Sequence, residues 1–193
     1  MRRPRLRGGL AVLAGLVLVV AAWGVLELAP STEAVQAPIP VRVGMGERGE
    51  GRNIAATVLD VVIAERLTDE DPFDPWNGET TGQWIVVNAT VESTRRGGSL
   101  DARLELGSLS IIGSGRPPIG TSLQTAPLEA GIQVTGWVAF EVPADAPLPS
   151  TATIRIAEGI DSRLDSVITV RLDLAGADRV GEFVLPDTET AAR

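Results

Sequence analysis

The sequence contains no cysteine, no histidine and no tyrosine, and every basic residue in it is an arginine. The missing histidine and cysteine exclude a Ser-His-Asp triad, a Cys-His nucleophile, disulfides, and zinc or copper sites built from imidazole or thiolate. The missing lysine excludes Schiff-base chemistry. Hydrolysis by paired carboxylates is the alternative that remains, but the acidic residues are mostly spread singly along the chain. We therefore expect no enzymatic activity and no cofactor.

Acidic residues outnumber arginines, and the formal net charge is −8 at pH 7. Nucleic-acid-binding proteins need a basic surface, so we expect no nucleic-acid partner. Four arginines lie among the first seven residues, whereas 13 arginines and 24 acidic residues follow from Pro30 onward, a charge of −11. Arginine in place of every lysine is typical of GC-rich coding and indicates a high-GC bacterium.

An uncharged run, residues 8–26, follows the four N-terminal arginines. Its 19 residues would make a helix about 28 Å long, close to the thickness of a bilayer core. The arginines predict a cytoplasmic N-terminus, and Trp23 would lie near the outer interface. We expect a single-pass protein of the cell membrane, with a stub at 1–7, a transmembrane helix at 8–28 and a stalk at 29–40.

A cleaved signal peptide is the competing interpretation of this segment. Small residues at 35–37 (VQA) resemble a cleavage site, although Pro38 follows directly and the apolar run is longer than the usual 7–15 residues. The sequence leaves open whether the segment is cleaved. Both interpretations place the rest of the chain outside the cytoplasm.

Alternation of apolar and polar residues dominates the chain after the stalk. The clearest run is 132–142, which predicts a strand. One face of this strand would point into a core and carry Ile132, Val134, Val138, Phe140 and Val142. The other face would carry Gln133, Thr135, Trp137 and Glu141.

Similar runs predict further strands at 54–67, 83–92, 104–106, 109–112, 152–157 and 167–174, with Gly107 as a bulge. Short strands separated by regular turn signals are typical of a sandwich. The fold expected is all-β, an antiparallel immunoglobulin-like β-sandwich over 41–178 that is preceded by one N-terminal transmembrane helix. Residues 179–193 are expected to be a frayed tail, with an edge strand at 183–185 as the alternative.

Three segments form a recognisable pattern, 82–91 (GQWIVVNATV), 128–131 (LEAG) and 136–143 (GWVAFEVP). Together they resemble a bacterial extracytoplasmic family, the telokin-like, immunoglobulin-like domain of unknown function on membrane-anchored proteins. The resemblance covers about 75 residues, 82–156, and departs from the family at 93–94, where Ser-Thr replaces the usual Lys-Asn pair. It implies a sandwich on a membrane stalk and brings no catalytic residues.

The stretch 67–80, LTDEDPFDPWNGET, holds five acidic residues and two aromatic ones. Its carboxylates Asp69, Asp71, Asp74 and Glu79 are calcium candidates, but their spacing lacks the regular alternation of an EF-hand loop. The simpler interpretation is a hairpin connection whose Phe73 and Trp76 fold back over the end of the sandwich. A contact loop for a protein partner is the other alternative.

Trp84 and Trp137 lie on the outward faces of predicted strands and would form an exposed aromatic patch if one sheet carries both. Cover by the stalk or the tail, or an inverted face assignment, is the alternative. Together with Phe73 and Trp76, they are the candidate partner contacts. The predicted function is a non-enzymatic accessory or interaction module that contacts another membrane or envelope protein, and a ligand- or calcium-binding sensor using residues 69–79 is the alternative.

Overall fold

The structure is a computed structural model that describes residues 5–29, 35–159 and 161–192, without the side chains at 5–8, 10, 28 and 192. Residues 1–37 and 38–193 form two separate compact units. The described residues of the first include the helix α1 (Arg5–Leu28), whose large apolar side chains between Val12 and Leu26 are exposed. Over the described part of the chain, no helix combines the length and apolarity needed to cross a bilayer. The transmembrane helix stays a prediction from the sequence.

The second unit is built from strands. Within the described residues they are β1 (Ile39–Val43), β2 (Gly49–Glu50), β3 (Ile54–Asp69), β4 (Gly78–Ser93), β5 (Gly98–Leu106), β6 (Leu109–Ile112), β7 (Pro127–Leu128), β8 (Ile132–Val142), β9 (Thr151–Glu158), β10 (Ser166–Asp173), β11 (Asp178–Leu185) and β12 (Glu189–Ala192). β6 and β8 have the predicted bounds, and the other predicted strands are present with longer or slightly shifted ends. The β-branched, alternating runs therefore form strands as expected.

The strands form two sheets, which confirms the predicted β-sandwich. Sheet A has the order β1-β10-β9-β5-β6, with β7 also paired to β5. Sheet B has the order β11-β3-β4-β8-β12, with β2 also paired to β3. The sandwich is not purely antiparallel, because β1 pairs with β10 and β11 pairs with β3 in parallel. Local alternation reveals a strand but not the direction of its neighbour, so the sequence could not show these parallel edges.

The main core lies between the two sheets. Four of the five residues predicted for the inward face of β8 lie in this core, namely Val134, Val138, Phe140 and Val142. Ile132, at the start of the strand, is only half-buried and lies outside it. Facing side chains from sheet A include Leu104, Ile154, Ile156, Ile168 and Leu172, each fully buried. This burial supplies the main stabilisation of a unit that has no disulfide.

A second apolar cluster covers the outer face of sheet B. It consists of Val62, Ala64, Leu67, Trp84, Val86, Trp137, Ala139 and Leu185, with Trp76, Val180 and Phe183 packed against it. Neighbouring residues of β3 therefore point into different clusters: Val61 lies in the main core and Val62 in the outer cluster. The centre of sheet B is buried on both faces, as in strands with continuous apolar runs.

Two expectations for local structure are corrected. Gly107 is not a bulge but the first residue of the two-residue turn between β5 and β6, where Leu106 pairs with Leu109. Its φ of 63° suits a type II′ turn, which favours glycine at that position. Residues 179–193 are not a frayed tail over their described part, because β11 pairs along β3 and β12 pairs along β8.

The two ends of the sandwich differ. At one end, the Asn53 side-chain amide donates to the Asp165 carboxylate at 2.5 Å, and the Ile39 N–H donates to the Asp165 carbonyl at 2.8 Å. We call this the base, and it is where the chain enters the second unit. Because β3 starts at the base and ends at Asp69, the loop between β3 and β4 lies at the opposite end.

A close backbone contact explains the glycine that precedes the central run of β4. A Cβ at Gly82 would collide with the Val142 carbonyl oxygen and lie 2.9 Å from the Ala144 nitrogen. These are backbone atoms of the neighbouring strand end, which cannot rotate away.

We expect Gly82→Ala to lower the free energy of unfolding by about 3 kcal/mol, because the backbone must shift to admit the methyl group. Urea unfolding of the full chain measures the change. The matched control is Gly181→Ala in β11, where a Cβ would meet no atom within 4 Å. Equal stability of the two variants would contradict the steric explanation.

Candidate functional site

The acidic stretch becomes a loop of eight residues between β3 and β4. β3 ends at Asp69 and β4 begins at Gly78, so most of the acidic residues and both prolines lie in the loop. We call residues 70–77 the acidic loop. The side chains of Glu70, Asp71 and Asp74 are exposed in it.

Two carboxylates hold the backbone of this loop. Asp69 Oδ1 accepts hydrogen bonds from the N–H groups of Trp76 at 2.9 Å and Asp71 at 3.4 Å. Asp71 Oδ1 accepts from the N–H groups of Phe73 at 2.9 Å and Asp74 at 3.3 Å. Such side-chain caps satisfy backbone donors that a turn leaves without strand partners. The aspartates therefore shape the loop.

The calcium candidates are not assembled into a common site. Within the described residues, which include the whole loop, no group of three or more acidic side chains is placed to hold a metal ion. Asp69 and Asp71 instead direct carboxylate oxygens at loop N–H groups, and Glu79 lies in β4. No observation favours the calcium-sensor alternative.

Trp76 fixes the far side of the loop to the sandwich. Its ring meets Trp84 edge to face, with the centroids 6.4 Å apart and the planes at 69°. The buried Trp84 Nε1 donates to the Gly78 carbonyl at 2.8 Å, so the indole is satisfied in its apolar surroundings. The expectation that Trp76 folds back over the sandwich end is correct.

Phe73 behaves differently from Trp76. Its side chain is 95% exposed, although its N–H is held by Asp71. The expectation that it folds back is wrong, because the prolines at 72 and 75 and the aspartate caps shape the chain into an outward turn. The loop therefore presents one large apolar side chain among exposed carboxylates.

Arg116 completes the support of the loop, and sequence reasoning missed it. Its guanidinium lies over the Trp84 ring, 5.3 Å from the centroid, and donates to the Glu79 carbonyl at 2.9 Å and to Glu141 Oε1 at 2.8 Å. Arg116 thus links the loop before β7 to the start of β4, through Glu79, and to the end of β8, through Glu141. An arginine among glycine and prolines (GSGRPP) carries no local sign of these contacts.

Arg116 also controls the Glu141 carboxyl. Burial by itself raises the pKa of this group, but hydrogen bonds from Arg116 and Thr80, with the positive charge of Arg116, lower the pKa below its ordinary value of 4.5. Because the carboxyl binds its proton less readily in the folded state, its stabilising effect is complete above pH 4.5 and is lost as the pH falls through the lowered pKa.

The predicted exposed patch of Trp84 and Trp137 is not formed. Trp84 is fully buried and Trp137 is 9% exposed. Both do lie on the outer face of sheet B, but Phe183 of β11 covers Trp137 with its ring centroid 4.7 Å away. The alternative in which the tail covers them is correct for Trp137, whereas Trp76 and Arg116 pack on Trp84. Of the four candidate contacts, Phe73 alone is fully available at the surface, and Trp76 is half-buried.

A signal for this cover was present in the sequence. The runs at 61–64 (VVIA) and 84–87 (WIVV) are continuously apolar rather than alternating. Continuous runs are typical of strands buried on both faces. They indicate that something packs on the outer face, without showing which segment does so.

We expect Arg116→Met to raise the pKa of Glu141 from its lowered value, because burial remains while the hydrogen bond and the positive charge of Arg116 are lost. Carboxyl carbon NMR followed over a pH titration measures it. The native chain should have a larger free energy of unfolding than this variant, and the difference should shrink as the pH falls through the pKa of Glu141 in the native chain. Arg171→Met, which loses an arginine bound to Thr151, is the control and should leave Glu141 unchanged.

Comparisons with known proteins return structures only. No family model matches the chain, and no curated protein matches it. Three solved bacterial structures are similar over most of the second unit. The secreted protein MPT63 of Mycobacterium tuberculosis is 16% identical, with a TM-score of 0.44 over 69% of this chain and 97% of that chain. The yjhA protein of Bacillus subtilis is 15% identical, with a TM-score of 0.43 over 66% of this chain and 98% of that chain. A β-sandwich protein of Clostridium difficile is 13% identical, with a TM-score of 0.42 over 75% of this chain and 100% of that chain.

Proposed function

We propose that this protein is a non-enzymatic interaction module outside the cytoplasm, attached to the cell membrane by its N-terminal segment, whose acidic loop contacts a protein partner. One observation carries the proposal: Phe73 is 95% exposed at the tip of a loop whose backbone is held by Asp69 and Asp71. A large apolar side chain displayed in this way suits insertion into a pocket of another protein.

The loop is prepared for binding by its own contacts. Aspartate caps on one side and the Trp76–Trp84 contact on the other restrict the conformations that Phe73 can explore. A segment that is ordered before binding loses less conformational entropy in the complex. The restriction therefore favours affinity at little further cost.

The charge of the loop indicates the chemistry of the partner. Glu70, Asp71 and Asp74 lie in the same loop as Phe73, within three residues of it in sequence, and are exposed. An acidic rim is complementary to arginine or lysine on the other protein, which increases the association rate and excludes acidic surfaces. The expected partner surface is an apolar pocket with a basic rim, on another membrane or envelope protein.

The location rests on the sequence. The uncharged run at 8–26 behind four arginines supports a membrane anchor with a cytoplasmic N-terminus. The resemblance of 82–156 to the telokin-like, immunoglobulin-like extracytoplasmic domain supports the same side of the membrane. Within the second unit, the acidic loop lies at the end opposite the base, where β1 begins.

We expect Phe73→Ala to weaken partner binding by about tenfold or more, because central aromatic contacts carry much of an interface's free energy. A photo-reactive phenylalanine analogue at position 73 of the membrane-bound full chain should give a defined adduct. Charge reversal at Glu70 and Asp74 should reduce that adduct. The matched control is position 164: Leu164 is 56% exposed and lies beside Asp165 at the base. Equal adducts at 73 and 164, or none at 73, would rule out the loop as the contact.

A separate experiment addresses attachment. The full-length protein should stay with membranes after an alkaline wash, and external protease should digest its second unit in intact cells. Val17→Arg with Val20→Arg should release the protein, since charged residues at the centre of an apolar span are costly. Recovery of a native chain that begins near Pro38 would show cleavage and would sink the anchor.

A further inference from the structure

The outer face of sheet A carries a row of arginines that the acidic loop does not explain. In the register of the sheet, Arg42 pairs with Thr169, Thr169 with Arg155, and Arg155 with Arg103. These residues alternate with the buried Val170, Ile154 and Leu104 and with the partly buried Val41, so they occupy the face away from the main core. Three arginines from three strands thus lie in one line across the sheet.

Arg103 and Arg155 are direct neighbours in this row. Residues paired across antiparallel strands have their Cβ atoms about 5 Å apart, and like charges at that position are destabilising. Each arginine is partly compensated by an acid of β5: Arg103 Nε donates to Asp101 at 2.9 Å, and Arg155 Nη1 donates to Glu105 at 3.2 Å. These acids reduce the repulsion between the two arginines, and a bound anion would reduce it further.

A depression of about 290 Å³ lies at this pair. Asp101, Arg103 and Arg155 line it together with the hydroxyl-bearing residues Ser110 and Ser162. All these residues belong to the second unit. The volume suits a small phosphorylated group and is too small for most drug-sized ligands.

The donors at the depression are only partly used. Among the described residues, the side-chain hydrogen bond of Arg103 is made by Nε, and that of Arg155 by Nη1. The Nη1 and Nη2 groups of Arg103 and the Nε and Nη2 groups of Arg155 therefore remain for a ligand. Arginine N–H groups bind the oxygens of phosphate in pairs, and two serine hydroxyls nearby add donors of a second kind.

The charge of this face contrasts with the rest of the chain. Its outward charged residues are Arg42, Arg103, Arg155 and Arg171 against Asp101, Glu105 and Asp173, an excess of one positive charge. The whole chain carries −8. The acidic remainder of the chain repels anions, whereas this face attracts them. Salt screens the attraction, so it acts over short distances and is stronger at low salt.

We infer that the depression formed by Arg103, Arg155, Ser110 and Ser162 on sheet A is a binding site for a phosphate group. The oxyanion lies between the two guanidinium groups and accepts their remaining N–H donors. Its two natural sources are a soluble phosphate ester and the headgroup of an anionic lipid. The site is independent of the acidic loop, which lies at the end of the sandwich opposite the base.

The test uses the purified full chain in a neutral detergent and titrates inorganic phosphate by calorimetry at constant ionic strength. We expect saturable binding that Arg103→Gln or Arg155→Gln weakens by about tenfold each, because each loses a charge-assisted contact. Ser110→Ala should weaken it less and leaves every charge in place. The matched control is Arg171→Gln, on the same face but outside the depression, and it should bind as the native chain does.

A second arm separates the two sources. Glycerol 1-phosphate is titrated as the soluble ester, and phosphatidylglycerol against phosphatidylcholine in mixed micelles supplies the lipid phosphodiester. Binding of either anionic probe that depends on Arg103 and Arg155 supports the site and names its source. Absence of saturable binding by every anionic probe overturns the inference. An equal loss in Arg171→Gln also overturns it, because general electrostatic attraction would then explain the binding. Circular dichroism of each variant confirms the fold before titration.

Discussion

The double-sided burial of sheet B is the constraint on which the rest of this structure depends. Its central strands, β3, β4 and β8, pack against sheet A on one face and against a separate apolar cluster on the other. Strands that are buried on both faces must exclude water from two sides, so a second layer has to cover the outer one. β11 and Trp76 provide that cover, and this is why the C-terminal stretch belongs to the sandwich.

The same constraint positions the acidic loop. Trp84 reaches the outer cluster from β4, and its indole binds Gly78, contacts Trp76 and lies under Arg116. Each contact draws a different segment to the sandwich end. A loop that would otherwise sample many conformations is thereby tied at both sides, while Asp71 turns Phe73 outward. The exposed aromatic side chain and the buried ones are parts of one arrangement.

Acidic and basic side chains lie in different regions of the surface, which the net charge of the chain does not reveal. Exposed carboxylates gather at the acidic loop, while the outer face of sheet A presents three arginines in one row. The two regions belong to different parts of the sandwich and suit ligands of opposite charge. This separation underlies both proposals, in which a basic partner binds the acidic loop and a phosphate group binds at the arginine row.

The sequence by itself determined the strands β3 to β6 and β8 to β10, most of the residues of β8 that face the core, and which chemistry is excluded. Alternation is a local property, and the absence of histidine, cysteine and lysine needs no structure to interpret. Only the tertiary structure decided which strands are neighbours. For that reason the parallel edges, the cover that Phe183 places on Trp137, the Arg116–Trp84 contact and the alignment of Arg103 with Arg155 were not predictable. Each joins residues far apart in the chain, and strand alternation specifies the face of a side chain but not what lies against it.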